Sequence, residues 1–293
     1  MIKFFRRIKH PIFANSIYLY FSNFFDSILL LFLVPFLARI FGPTFIGEIG
    51  LAQSIGIVFL VIQEFGFTIS ATKSFAEKNS FKKDRYLVEQ IFTFKACLIP
   101  IIFLAAFLIA ITHPVFIAKP SLLLIVTFDS IFQSFIPIWY FKGKQKFKTI
   151  VITKTAFRLL AFLVIFLLVK SSNDAWIYLT LIALSSLFIS IFQIFIMIKE
   201  IGRIKLLALK KVSPIIKSSY YNFIIVFLPT FFNNVGILVL SYLASPLYIG
   251  LYYGVAKIHR AFNTLFTPMF ESFFPFLGSE YSISKSRALK KIK

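Results

Sequence analysis

Apolar runs of membrane-crossing length, separated by short basic turns, constrain this chain more than any other feature. The stretch from Asp129 to Arg158 shows the pattern. Ile131 to Phe141 is apolar apart from Gln133 and Ser134, and it ends in Trp139-Tyr140, the aromatic pair expected at a bilayer interface. A turn follows, Lys142-Gly143-Lys144-Gln145-Lys146-Phe147-Lys148, whose lysines mark it as cytoplasmic. The next run, Thr149 to Val169, is long enough to cross about 30 Å of hydrocarbon, yet it carries Lys154 and Arg158 on one helical face. Arg158 lies roughly 14 Å along that helix, near the bilayer centre. A central arginine costs about 2.5 to 3.5 kcal/mol on insertion and ordinarily faces a bundle interior or a wet cavity. Lys154 is shallower and can also snorkel to the head groups.

Eight such spans are predicted, at about residues 16–37, onward from the Ala38–Gly47 turn to 67, then 88–112, 121–141, 149–169, 175–198, 219–243 and 248–270. A hydrophobic content of 59% excludes a soluble domain, and continuous runs exclude an outer-membrane barrel, whose strands alternate over about ten residues. The fold class is therefore all-α polytopic membrane protein. A net charge of +21 would suggest nucleic acid in a soluble protein. Here the cations follow membrane topology instead: only Arg39, Lys119 and Lys170 fall on outer turns, and Lys95, Lys154, Arg158, Lys257 and Arg260 fall within spans. Both chain ends then lie in the cytoplasm. The basic N-terminal segment precedes an apolar run without a small-residue cleavage site and reads as an uncleaved first span. Cys97 is the single cysteine, and His10, His113 and His259 show no ligand spacing, so no metal site, cofactor or thiol chemistry is predicted.

A short internal repeat crosses the long basic loop. Ile46-Gly47 opens span two as Ile249-Gly250 opens span eight, each after a proline-bearing turn, at an offset of 203 residues. Ile55 and Ile258 keep the same offset. Such repeats in one orientation are a mark of transporters built from parallel units.

Three clusters carry a resemblance to a known family. They are Val34-Pro35-Phe36-Leu37-Ala38-Arg39-Ile40-Phe41-Gly42-Pro43 continuing to Gly47, Glu64-Phe65-Gly66-Phe67-Thr68-Ile69-Ser70-Ala71-Thr72-Lys73, and Ile136-Pro137-Ile138-Trp139-Tyr140-Phe141-Lys142-Gly143. With Tyr248-Ile249-Gly250-Leu251-Tyr252 to Ala256-Lys257, they resemble the Wzx-type polysaccharide flippases, within the superfamily that also holds multidrug antiporters. The resemblance implies twelve or more spans in two six-helix lobes of a MATE-like fold. On that frame the chain divides into a complete six-helix lobe (1–198), a cytoplasmic linker (199–217), the first two helices of a second lobe (218–275) and a basic tail (276–293). Truncation of a longer flippase, or pairing with a second copy to complete the missing lobe, is the expectation that follows.

The implied substrate is an oligosaccharide on a polyprenyl pyrophosphate carrier, moved across a bacterial inner membrane by alternating access. Glycan polymerase, chain-length regulator and membrane lipids are the implied partners. Arginine holds phosphate oxygens through paired donors, so Arg158 and Arg260 rank first for the pyrophosphate, followed by Lys154, Lys257 and Lys95. Asp26 and Asp129 are candidates for proton or sodium coupling, with structural pairing to Arg158 or Lys95 as the equal alternative. Asn222, Asn233 and Asn234 are candidates for sugar hydroxyls, although interhelical hydrogen bonding is the commoner role. No nucleophile, base or paired carboxylates sit at an aqueous face, so catalytic residues are not predicted and an enzyme is disfavoured. A multidrug-type antiporter or a non-transporting remnant are the alternatives, and the excess of intramembrane cations over acids argues against the first.

Overall fold

The computed structural model describes residues 11–77, 81–260 and 262, and among them every regular element is helical. Six helical segments of the described residues are long and apolar enough to cross a membrane. The first contains a hairpin. Pro11–Glu64 is helical over 54 residues except at Gly42, whose φ of 71° and ψ of 165° a side chain would oppose. Pro43, pre-set for a first helical turn, restarts the helix. Leu33 and Gln53 line one cavity although a straight helix would hold them about 30 Å apart, so α1 (residues 11–41) and α2 (residues 43–64) double back on each other. The sequence predicts a ten-residue turn here; one glycine suffices.

Beyond α2, Phe65 (φ 45°) and Gly66 (φ 71°) turn the chain into the short α3 (Phe67–Ala76). Next come α4 (Phe81–Thr112), α5 (Pro114–Ala118), α6 (Pro120–Ser134), α7 (Ile138–Gly143), α8 (Phe147–Leu168) and α9 (Ala175–Ile201). A basic connection leads to α10 (Ser213–Leu243), and α11 is described over residues 246–260. The N-terminal ten residues, the end of span eight (263–270) and the basic tail lie outside the described residues.

The apolar side chains are distributed as a membrane requires, with many large ones facing outward. On α8, Leu160, Leu163 and Leu167 are exposed, and on α9 so are Phe188, Ile191, Phe192 and Phe195. Cys97 is exposed on α4 as well. Lipid is as apolar as leucine, so these residues gain little by packing inward, and helix contacts fall to small and polar groups. On α6 and α9 these are Ser130, Ser134, Ser185, Ser186 and Ser190, all buried. Gln63 adds a link, donating to Ser130 Oγ at 3.4 Å and accepting from Ser134 Oγ at 3.2 Å.

Span four departs from its predicted form. The helix stops at Ser134 and resumes as α7 only at Ile138, because Pro137 has no N–H to donate and crowds the preceding turn. Ile138 N–H turns to Ile136 O at 2.9 Å, which frees the Ser134 carbonyl. The short helix α7 packs on α3 rather than lying at a lipid boundary. Consequently Trp139 and Tyr140 are not interfacial anchors: they are 1% and 2% exposed, in a cluster with Phe67, Phe75, Phe141 and Met197. The basic end of the bundle is thus a small packed core of its own. Two of its hairpin lysines are matched, Lys144 to Asp84 and Lys146 to Glu200, both at 2.6 Å.

The two halves of the internal repeat touch. A Cβ on Gly250 would stand 1.7 Å from Pro43 O, and one on Gly47 would stand 2.4 Å from Pro246 O. Pro43 and Pro246 are separated by the same 203 residues as Gly47 and Gly250. Each unit therefore presents its glycine to the other's proline carbonyl, the reciprocal pairing that a local twofold relation produces. A Cβ on Gly254, one turn beyond Gly250, would meet nothing within 4 Å. At the same far end, opposite the lysines, His113 caps α5 and meets α10 through Ser241 Oγ at 3.1 Å. Burial holds its imidazole below the ordinary histidine range, which keeps the ring neutral near pH 7.

Candidate functional site

The helix crossing of α2 and α11 positions the floor of a cavity that opens among α2, α6, α8, α9 and α11. Tyr253 lies one turn beyond Gly250 and its ring covers Gly50. Its hydroxyl donates to Gln53 Oε1, and Lys257, one further turn along α11, donates to the same oxygen at 2.8 Å. Gln53 in turn donates to Tyr178 of α9 at 3.2 Å. A single glutamine amide therefore joins α2, α9 and α11. The Lys257 ammonium stands 4.7 Å from the centre of the Tyr253 ring, a cation–π contact that steadies it against the wall.

Above this junction is a cavity of about 310 Å³, lined by Gln53, Asp129, Gln133, Arg158, Tyr178, Tyr253, Lys257 and Arg260 among others. Its lining side chains come from helices of membrane-crossing length and composition together with α11. Three cations and one carboxylate converge there from α6, α8 and α11. Asp129 accepts from Gln133 at 2.7 Å, with Ser186 and Arg158 close beside it. Arg158 Nε is buried without a hydrogen-bond partner among the described residues, an unusual state for a donor that any nearby acceptor oxygen would relieve. Arg260 Nε reaches Ala256 O at 3.5 Å.

Arg158 also borders a second cavity of about 270 Å³ between α1 and α8, lined with Asp26, Leu29, Leu33, Lys154, Phe162, Ile165 and Ile182. Here Lys154 donates to Asp26 as an ion pair. Asp26 thus pairs with Lys154 rather than with Arg158 or Lys95. The helical spacing of Lys154 and Arg158 does set both on the face of α8 that meets these cavities.

The remaining candidates lie elsewhere. Lys95, 1% exposed, is at the basic end of the bundle, 2.5 Å from Glu64 Oε1 and donating to the Ser134 carbonyl that the break before α7 frees. Asn222 packs against Gly66 where α10 meets α3. Asn233 is exposed, and Asn234 is buried with its amide donating to Thr230 O at 2.7 Å. None of the three asparagines lines either cavity. Sequence reasoning passed over Gln53, Tyr178 and Tyr253, which are uncharged and look like ordinary span residues. For Gln53 a signal existed: a polar amide midway along the apolar run of α2 calls for a buried partner.

Residues 12–279 match the family described as "Polysaccharide biosynthesis protein". The chain belongs to that family. Two curated relatives, both longer than this chain, align with most of it: one from Escherichia coli (strain K12) is 26% identical over 293 residues, covering 95% of this chain and 68% of the relative. The other, from Shigella dysenteriae, is 24% identical over 276 residues, covering 87% of this chain and 69% of the relative. Both are named "Putative O-antigen transporter". No solved structure matches the chain. Membership agrees with the Wzx-type resemblance of the sequence clusters, and the family to which this multi-pass membrane protein belongs is one of transporters rather than enzymes.

Proposed function

We propose that this protein moves a polyprenyl-pyrophosphate-linked oligosaccharide, such as an O-antigen or capsule repeat unit, across the bacterial inner membrane. The observation that carries the proposal is the meeting of Arg158, Lys257 and Arg260 against the single carboxylate of Asp129 in one cavity. An anionic diphosphate relieves that imbalance, and the buried, unpartnered Arg158 Nε offers it a donor. Tyrosine and glutamine side chains on the same wall suit a hydroxyl-rich glycan. The same charge balance disfavours the organic cations of a multidrug-type antiporter.

The first six spans form one lobe, with the basic connection as linker and α10 and α11 as the start of a second lobe. Alternating access then takes place by rocking between them. The far-end crossing of Gly47 and Gly250 closes one side of the cavity. The lysine-rich end faces the cytoplasm, with both termini on that side. Asp129, set beside Arg158, couples transport to a proton or sodium ion: it must exchange its partner when a phosphate occupies the arginine. A glycan polymerase and chain-length regulator act on the product.

Arg158→Gln tests the reading in cells whose surface glycan depends on this protein. At unchanged protein level, surface glycan should fall at least about tenfold, since a charge-assisted phosphate contact contributes roughly 1.5 to 3 kcal/mol. Normal glycan in that variant removes Arg158 from the mechanism.

A further inference from the structure

The two cavities meet at Arg158 but differ in character. Leu33 and Ile182 line both; the larger adds amides, phenols and charged groups set among Ile57, Leu60 and Val126, whereas among the described residues the wall of the smaller beyond Asp26, Lys154 and Arg158 is made of Leu29, Leu33, Phe162, Ile165 and Ile182. The smaller cavity runs along the seam of α1 and α8. At one end it is bounded by the Asp26–Lys154 pair, and at the other Phe36 of α1 meets Phe166 of α8 with ring centres 4.2 Å apart. Phe162 leans on Phe166 at 4.6 Å and extends that aromatic contact. From Asp26 to Phe36 the helix rises about 15 Å. The seam is thus an apolar slot with two cations at one end and, beyond the other, an aromatic contact between α1 and α8.

A molecule that satisfies both chambers must be polar on one side of an anionic group and oily on the other. We infer that the α1–α8 slot holds the first isoprenoid units of a lipid pyrophosphate whose diphosphate sits at Arg158, where the two cavities meet, facing Lys257 and Arg260 on one side and Lys154 on the other. This rests on the substrate class proposed above and adds the place of the chain. The diphosphate replaces Asp26 as the partner of Lys154, so opening of that ion pair accompanies loading. The glycan side then occupies the chamber of Gln53 and Lys257, and the rest of the chain leaves toward lipid past Leu29. An ordinary phospholipid presents the same phosphate with a pair of straight chains, and the slot, flanked by three phenylalanine rings, favours a single chain.

The test compares three probes on the full chain in detergent: inorganic pyrophosphate, farnesyl pyrophosphate and a short-chain phosphatidic acid. Farnesyl pyrophosphate should bind at least about tenfold more tightly than inorganic pyrophosphate, because burying even a few methylenes supplies that factor, and more tightly than the phosphatidic acid. Leu29→Trp, which fills the slot from a half-buried position, should abolish the difference between the first two probes while leaving pyrophosphate binding unchanged. Phe162→Ala, which only removes atoms, should reduce it severalfold. Equal binding of farnesyl and inorganic pyrophosphate, or a chain preference that survives Leu29→Trp, overturns the slot while leaving the diphosphate reading intact. Tighter binding of phosphatidic acid assigns the slot to a phospholipid and overturns the isoprenoid assignment. Failure of every probe to bind overturns both.

Discussion

Lys95 illustrates how a buried charge in a membrane helix can be structural. At 1% exposure it would by itself signal a transport site, yet its ammonium is fully used by Glu64 and by the carbonyl left open where α6 ends. A backbone acceptor exposed at membrane depth costs several kcal/mol unless a donor reaches it, and Lys95 is that donor. Lys95→Met should therefore lower stability by about 3 kcal/mol, by stranding both Glu64 and Ser134 O. Thermal unfolding in detergent measures this, and Glu64→Gln added to Lys95→Met should restore part of the loss. A Lys95→Met protein that melts with the parent would show that the pair contributes nothing. Arg158 differs in the respect that matters: its Nε has no such protein acceptor among the described residues.

Between elements, the tightest constraint is the crossing of α2 and α11. Backbone approaches backbone there, so a side chain has nowhere to go, whereas a side chain elsewhere on α11 can turn outward. Gly250→Val should drive the two helices apart and destabilise the protein by about 1 to 3 kcal/mol. Gly254→Ala, with open space around it, should be neutral or slightly stabilising. Equal melting of the two variants would mean that the glycine contact does not hold α11 in place. Because Gln53, Tyr253 and Lys257 are aligned by this crossing, Gly250→Val should also disturb the wall of the large cavity.

For the whole molecule, the lysine-rich end and the glycine crossing at the other end define two unlike faces. If the lysine-rich face is cytoplasmic, a Lys148→Cys protein in a Cys97→Ser background should react with an impermeant maleimide only after spheroplasts are opened. Lys170→Cys should react in intact spheroplasts; both residues are exposed. The reverse pattern would invert the proposed topology.

What the sequence determined by itself was the class of molecule, the succession of spans and the face of α8 that carries Lys154 and Arg158, because hydropathy over about twenty residues and the helical repeat are local properties. It also marked the repeat, since matching glycines keep one offset whatever the fold. The tertiary structure alone decided which charges share a cavity. Arg158, Asp129, Lys257 and Arg260 converge from three helices, while Lys95, equally conspicuous in the sequence, is spent on a broken helix. It decided too that Trp139 and Tyr140 are core and that Gln53 is a junction. In a membrane, apolar side chains are at home on either side of a helix, so composition says little about which face turns inward; that is settled where backbones come close enough for glycine and where polar groups find one another.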